Sequence, residues 1–553
     1  MKKWLVLILF SYLCIYKWFR KILFQQLEKI TRHKKTVFQT GAVKRVGFTK
    51  ISISFINYSV PDLLTFHATG IAFTCNFKNI FSLKKPVVLM TVDQLVVSVA
   101  YNTSSSGSTM ADSIQATESP AVTAYIETFI HRLCKWLYVF TKWLPDQLQC
   151  SNISFTANTR YSLLCRSALI NVSRIKKHRK IRSAFLHFAC YDCSINAAAQ
   201  NNKLFTFAAL QMDSYIEYGK WGIHVTEVSN GYFNTIPFRF FIRYSTAVER
   251  TIKLAISFEK LTLAELLQSM TFLTTEQLLN TRSAGAFALQ TMFSLQLHKP
   301  YRHQFITQLD NRLEISPHQT TSFHYLHHPF VHRVKDRGAI VKEFMLDQAI
   351  VGFIPFTTVA SHLVQALICT EDPRFHTHKG VDWHAIGASL ANNLRERKFV
   401  RGGSTITMQL ARNLYLHHHK TISRKLEEIL IAWMIEDICS IPKERILELY
   451  LNIIEWGPGI YGIGDASSFY FSKPPSRLSL TESLVLTYII PRPKHFTEAL
   501  AIKSVQLQTN LSKHVRYFSR VMLKKGLITE QAFYSIENKI VFANQLGIIE
   551  LTR

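Results

Sequence analysis

Glu371 and Asp372 stand at the end of an apolar stretch, Leu363–Cys369. A carboxylate at the edge of an apolar surface holds its proton more tightly than one in water, and so suits general-base work. Asp372 adds a like charge beside it. The residues alone leave a plainer reading open, in which the two acids open a helix and meet its dipole. Further on, Gly402-Gly403-Ser404-Thr405 precedes a helical run, Ile406–Leu416. Such a turn offers backbone N–H and hydroxyl donors to an anion, and Ser or Thr there is also an ordinary helix cap. A helix running from Thr405 puts Gln409 and Arg412 on one face. Lys420, Arg424 and Lys425 follow. Together with Arg412 they form a basic cluster suited to a diphosphate, with Arg giving forked contacts and Lys a point charge. A solvated basic face is the alternative. Glu428 lies one helical turn from Arg424 and Lys425. It is either a surface ion pair worth a few tenths of a kcal/mol, roughly, or a second catalytic carboxylate kept ionised by basic neighbours. Two carboxylates beside a cationic cluster are what an inverting sugar transfer with a phosphate leaving group requires. One removes the proton from the attacking hydroxyl, and the cations stabilise charge on the departing group.

The elements that must carry these residues are diverse. The chain has 553 residues, 48% of them hydrophobic, enough for roughly two to four domains with substantial cores. Lys and Arg number 65 against 37 Asp and Glu, a net charge of +28. Excess of this size implies an anionic partner. Zinc-finger, Walker A and RRM signatures are absent, so nucleic acid is not expected and a membrane surface or phosphorylated substrate is. The nine cysteines are scattered. Cys190-Tyr-Asp-Cys193 has CxxC spacing but no second pair, so zinc is not expected; one disulfide within residues 134–193 is allowed, and core packing is the expected role for most.

Residues 1–24 read as a membrane anchor: Trp4–Tyr16 is apolar, and snorkelling of Lys17, Arg20 and Lys21 would extend the span to Phe24. No A-x-A-like site follows, which favours an uncleaved anchor. Residues 45–300 form a β-rich region. Ile51-Ser-Ile-Ser-Phe55 and Leu95–Tyr101 alternate as strands do. Asn102–Pro120 reads as a Ser/Thr-rich loop, Ala121–Trp143 as a helix, 150–260 as strands again, and Leu261–Leu297 as helical. Residues 301–339 are a His-rich connector in which His328 and His332 have helical spacing interrupted by Pro329; without HExxH, no metal site is expected. From Ile340 the pattern is mostly helical.

These blocks, taken together, resemble the conserved motifs of the peptidoglycan glycosyltransferases, glycosyltransferase family 51. Glu371, Asp372, Phe375, His378, Gly380 and Asp382 meet every fixed position of that family's first motif. Gly402 through Thr407, Gln409, Arg412 and Asn413 match its second, with Met408 in place of a Gln. Arg424, Lys425 and Glu428 match its third. Ile446, Leu447, Glu448, Tyr450, Leu451 and Asn452 match its fourth, read as mainly structural. Gly457–Phe471 continues the likeness, especially to monofunctional members.

The resemblance implies an α+β multidomain protein whose C-terminal domain, 340–553, is mostly helical and lysozyme-like, with a small membrane-dipping lobe; the apolar run Ala349–Phe356 and its surroundings would line that lobe or else form a buried core helix. It implies polymerisation of lipid II into β-1,4-linked glycan, with Glu371 as catalytic base and Glu428 as second essential carboxylate. Asp372, Ser404, Thr405, Gln409, Arg412, Lys420, Arg424 and Lys425 are the expected substrate-binding residues. The family's Mg²⁺ or Mn²⁺ would accompany the donor diphosphate, since no ligand cage is visible in the sequence. The expected partners are lipid II, the growing strand, the membrane and other cell-wall synthesis proteins. The expected location is the cytoplasmic membrane, with the catalytic domain outside the cytoplasm. Ser82–Lys85 and Ser440–Lys443 fit SxxK without its companion motifs, so no transpeptidase is expected. Two other readings stay open: a glycan-cleaving enzyme of lysozyme-like fold, and a non-catalytic envelope scaffold working through residues 45–330.

Overall fold

The computed structural model describes residues 37–45, 50–60, 64–76, 87–99, 147–157, 161–173, 177–178, 181–197, 202–219, 222–245, 250–271, 273, 275–296, 302–315, 323–336, 339–396, 402–416, 421–543 and 546–551. The expected anchor, the Ser/Thr-rich loop, the Ala121–Trp143 helix, His318 and Lys420 fall outside them. Among the described residues, no helix is long and apolar enough to cross a membrane. The chain divides into two compact units. One comprises Met1–Glu259, Gln268–Phe272 and Ala288–Gln304; the other comprises Lys260–Leu267, Leu273–Phe287 and Phe305–Arg553.

The first unit is built on one long meandering sheet. Its strands include Lys50–Val60, Leu64–Asn76, Val87–Val99, Gln147–Ala157, Tyr161–Ser173, Ile181–Ala197 and Asn202–Gly219, paired in that order. Neighbours are antiparallel except Val87–Val99 with Gln147–Ala157, which are parallel. Alternation decides which side is covered. Ile53, Ile71, Val92, Leu95 and Leu148 form one buried cluster, and it includes a break in alternation, since Val92 and Leu95 are both buried across the exposed Asp93 and Gln94.

Two expectations about the following segment are corrected. Among the described residues of Leu261–Leu297, only Leu263–Ser269 and Glu276–Leu279 are helical, and Phe287–Gln296 is a strand. Its Phe287, Phe293, Ser294 and Leu295 are buried and Gln290 is exposed; burial along it does not alternate cleanly, and with the local wealth of Leu the segment carries no period-two signal. The His-rich connector is also no linker. It forms the strand His303–Asn311, a 3₁₀ turn Phe323–His327 and the hairpin Phe330–Asp336/Ala339–Leu346. Phe323 and Leu326 are fully buried there, and His332 packs parallel to the Phe344 ring. The apolar residues between the histidines fold the segment, from Phe305 onward, into the second unit.

That unit is mainly helical. Its principal helices are α1 (Ser361–Glu371), α2 (Trp383–Glu396), α3 (Ile406–Tyr415), α4 (Ile422–Trp433), α5 (Lys443–Ile453), α6 (Ile463–Phe471), α7 (Leu480–Ile489), α8 (Pro493–Ala501) and α9 (Val505–Lys524). Side-chain caps start several of them: Thr405 for α3, Thr421 for α4, Ser479 for α7 and Ser504 for α9. At Ser479 the cap is a full box with Glu482. α7 is buried along almost its whole length and packs against α1 and α9. A helix apolar on all sides belongs in the middle of a bundle.

Candidate active site

Glu371 is the last residue of α1, and Asp372 follows as its C-cap. The pair therefore closes a helix, and the helix-opening alternative does not hold. Their two carboxylates have separate surroundings. Asp372 is 3% exposed. Its oxygens both lie 3.0 Å from His378 Nε2, and Oδ2 accepts the Ile406 N–H, also at 3.0 Å. Ile406 is the first residue of α3, so Asp372 supplies the negative charge that this helix N-terminus attracts. Thr405 completes the cap: its hydroxyl accepts from Met408 N–H at 3.1 Å and donates to Gly380 O at 2.6 Å.

Gly380 is obligatory for a steric reason. It has φ +80°, and a Cβ would lie 2.1 Å from the carbonyl oxygen of Ala432 in α4. Asp382, two residues on, accepts the Ala385 N–H at 3.0 Å and so starts α2. Most of the first motif thus ties α1, α2, α3 and α4 together.

Glu371 is the member of that motif left for chemistry. It is half-buried. Its Oε2 accepts a hydrogen bond from Gln409 Nε2 at 2.9 Å. Gln409 Oε1 in turn accepts from the Tyr450 hydroxyl at 2.9 Å. Burial holds the Tyr450 phenol well above its ordinary pKa, so it remains a donor. Burial also pushes the Glu371 carboxyl above the ordinary glutamate range; the Gln409 hydrogen bond and the Arg412 charge oppose this, and Asp372 adds to it.

The third motif lies on α4. Glu428 is 2% exposed. Its Oε1 pairs with Arg424 Nη1 and its Oε2 with Lys425 Nζ, the latter at 2.8 Å. Lys425 Nζ also donates to Ser404 Oγ at 2.5 Å, which joins the Gly-Gly-Ser-Thr turn to α4. Burial lowers the Lys425 pKa against the pull of Glu428, and the Arg412 and Arg424 charges lower it further. Arg412 therefore acts on both Glu371 and Lys425, and it links the carboxylate to the cations.

The expected site residues accordingly separate. Glu371, Gln409, Arg412, Ser404 and Lys425 are at least partly accessible and belong to one neighbourhood. Asp372 and Thr405, expected on the substrate side, are buried and bonded within the fold, and Arg424 is buried against Glu428. Glu428, expected as a second catalytic carboxylate, has both oxygens engaged by cations. Met408 is fully buried in the core, so a Gln at this position would not face the site. Motif reading missed the part played by Tyr450: it lies inside the fourth motif, but its bond to Gln409 crosses from α5 to α3. The rest of that motif is structural. Glu448 accepts from Phe356 N–H at 3.0 Å and Arg445 at 2.5 Å, and Asn452 exchanges bonds of 2.9 and 2.8 Å with the backbone of Ile354.

An oxygen cage for Mg²⁺ or Mn²⁺ does not fit these residues. The carboxylates of Asp372 and Glu428 are already spent on partners, which leaves Glu371 alone, and such ions need several oxygens. Among the described residues, the three-member group of potential ligands lies elsewhere, at Cys165, Cys190 and Cys193.

Residues 337–515 match the transglycosylase family. Over this segment the chain is similar to transglycosylases. The segment contains Glu371, Gln409, Arg412, Lys425, Glu428 and Tyr450. The chain is 45% identical over 146 residues to the biosynthetic peptidoglycan transglycosylase of Chromobacterium violaceum, covering 26% of this chain and 63% of that one. It is 45% identical over 144 residues to the protein of that name from Nitrosomonas eutropha, covering 26% and 58%. With the one from Paraburkholderia xenovorans the figures are 42% over 146 residues, 26% and 60%. The chain thus spans about three fifths of the length of the curated relatives it matches.

Proposed function

We propose that this chain polymerises lipid II into β-1,4-linked glycan strands and releases undecaprenyl diphosphate. Glu371 takes the proton from the 4-hydroxyl of the acceptor N-acetylglucosamine. That oxygen attacks C1 of the donor N-acetylmuramic acid with inversion, and the C1–O bond to the diphosphate breaks. Arg412 and Lys425, with Lys420 and Arg424, stabilise the charge on the leaving diphosphate. Ser404 and Gln409 complete the substrate contacts. Glu428 is essential because it positions Arg424 and Lys425, while Asp372 and Thr405 position α3. A Mg²⁺ or Mn²⁺ ion would arrive on the diphosphate and leave with it. The observation that carries the reading is Glu371 itself: a half-buried carboxylate with raised proton affinity, held by Gln409 and facing Arg412. A base poised nearer neutral pH is the requirement for deprotonating a sugar hydroxyl.

The lipid tail calls for contact with a bilayer. The loop Asp347–Phe353 and the adjoining hairpin support it: Val351 is fully exposed, and Ile340, Val341 and Ile350 are about half exposed. Exposed apolar residues in a loop and on a hairpin suit a membrane interface. We place the domain on the outer face of the cytoplasmic membrane, held there by residues 1–24, in contact with other cell-wall synthesis proteins.

The test is polymerisation of labelled lipid II by the full chain in detergent, read as glycan ladders on a gel. Ladders from the native protein and none from folded E371Q support the assignment. Ladders from folded E371Q would overturn the role of Glu371. Shortening of preformed glycan would favour the glycan-cleaving alternative.

A further inference from the structure

Cys165 lies on the strand Tyr161–Ser173, and Cys190 and Cys193 on its antiparallel neighbour Ile181–Ala197, with Cys165 directly opposite Cys193. Side chains alternate along a regular strand, so residues three apart face opposite sides. Cys190 and Cys193 do not. They are 1% and 2% exposed, while Tyr191 and Asp192 between them both face out. The neighbouring strand makes the same break in phase: Cys165 and Ala168 are buried, and Arg166 and Ser167 between them are exposed. Asp192 has φ +50°, a left-handed conformation that a non-glycine residue seldom adopts. The double break puts all three sulfurs within 4.8 Å of one another on the covered side.

The same break recurs at Val92–Leu95 in this sheet, where no cysteine stands, so the break belongs to the sheet; what distinguishes this place is that three thiols converge on it. A disulfide needs two thiols, and the directly opposed Cys165 and Cys193, with sulfurs 3.0 Å apart, would supply them without Cys190. Three convergent soft donors are the makings of a metal site. Cys165 and Cys193 also line a cavity of about 750 Å³, whose other lining residues include Asn152, Asp192, Ser194 and Thr206.

We infer that Cys165, Cys190 and Cys193 form a trithiolate site for a thiophilic d¹⁰ metal ion of the Zn²⁺ or Cu⁺ class, with a fourth position open to the cavity. Binding forms three sulfur–metal bonds and releases to solvent the thiol protons still present; no oxidation state changes. The site belongs to the β-rich unit and is independent of the reading of residues 337–515.

The test titrates the reduced, metal-stripped full chain in detergent with Zn²⁺, and with Cd²⁺ as a spectroscopic probe. One ion per chain is expected, with a sulfur-to-cadmium charge-transfer band in the ultraviolet. C165S, C190S and C193S should each weaken binding at least about 10-fold, whereas C369S should not. X-ray absorption on the native chain loaded with Zn²⁺ needs no variant and guards against misfolding: three sulfurs at about 2.3 Å are expected. A shell of oxygen and nitrogen alone would overturn the proposal. So would a Cys165–Cys193 disulfide in the protein as isolated, mapped by mass spectrometry under non-reducing conditions.

Discussion

Tyr450 and Glu371 are joined through a single carboxamide: Gln409 accepts from the Tyr450 hydroxyl and donates to the Glu371 carboxylate, both at 2.9 Å. The chain of bonds fixes which end of the Gln409 amide faces Glu371. Reversed, the amide would set oxygen against carboxylate. Tyr450→Phe removes the bond that selects the orientation. We expect kcat for glycan polymerisation to fall about 10-fold, an effect of about 1.4 kcal/mol, with KM for lipid II within about twofold of native. A fall in KM-limited binding with unchanged kcat would show that Tyr450 serves the substrate and not Glu371.

Glu371→Gln should abolish polymerisation and stabilise the fold. The carboxyl pKa is raised in the native state by burial, so the native protein binds the proton more tightly than the unfolded chain. Stability from this group is therefore lost as pH rises through and above the unfolded pKa. The variant should melt higher by a few degrees, roughly, at pH 7. The difference should shrink toward pH 4. Calorimetry at the two pH values checks this, and equal gains at both would argue against a desolvated carboxylate.

The pH–rate profile of the native enzyme should be narrowed from both sides. Its acid limb reports Glu371 losing its proton, displaced upward from the ordinary glutamate range. Its alkaline limb reports Lys425, displaced downward from the ordinary lysine range. Glu428 raises the Lys425 pKa. Glu428→Gln should therefore move the alkaline limb to lower pH, leave the acid limb in place and raise KM for lipid II. An acid limb that moved with Glu428→Gln would make Glu428 the base.

Asp372→Asn should act on folding before it acts on substrate. The side chain meets His378 and the first N–H of α3, and loss of a buried charge-assisted bond costs about 1–3 kcal/mol. Chemical denaturation should show that loss. KM for lipid II in the folded fraction should change less than about twofold, in contrast to Lys425→Ala, where a rise of about 10-fold or more is expected.

Some of this was legible in the residues alone because the signal is local. The Gly-Gly-Ser-Thr turn, the cap at Thr405 and the shared face of Gln409 and Arg412 follow from helix geometry within a few residues. So does the pairing of Arg424, Lys425 and Glu428 along α4. Strand alternation likewise marked the β-rich region. The errors had local causes too: abundant Leu and a burial pattern without clean alternation concealed the strand Phe287–Gln296, and abundant His concealed the apolar Phe323 and Leu326.

What the sequence determined by itself was which chemical groups are available and which segments carry them, because periodicity and capping act over a turn or two. What the tertiary structure decided was how those groups are used. Asp372 and Glu371 are neighbours in the chain, yet one is spent on the N-terminus of α3 and the other is left with raised proton affinity beside Arg412. Glu428 became a holder of cations because burial left its oxygens no other partners. Cys165 joined Cys190 and Cys193 only through strand pairing and a break in alternation that CxxC spacing does not encode. Desolvation and long-range contact assign roles, and neither is a property of residues taken in order.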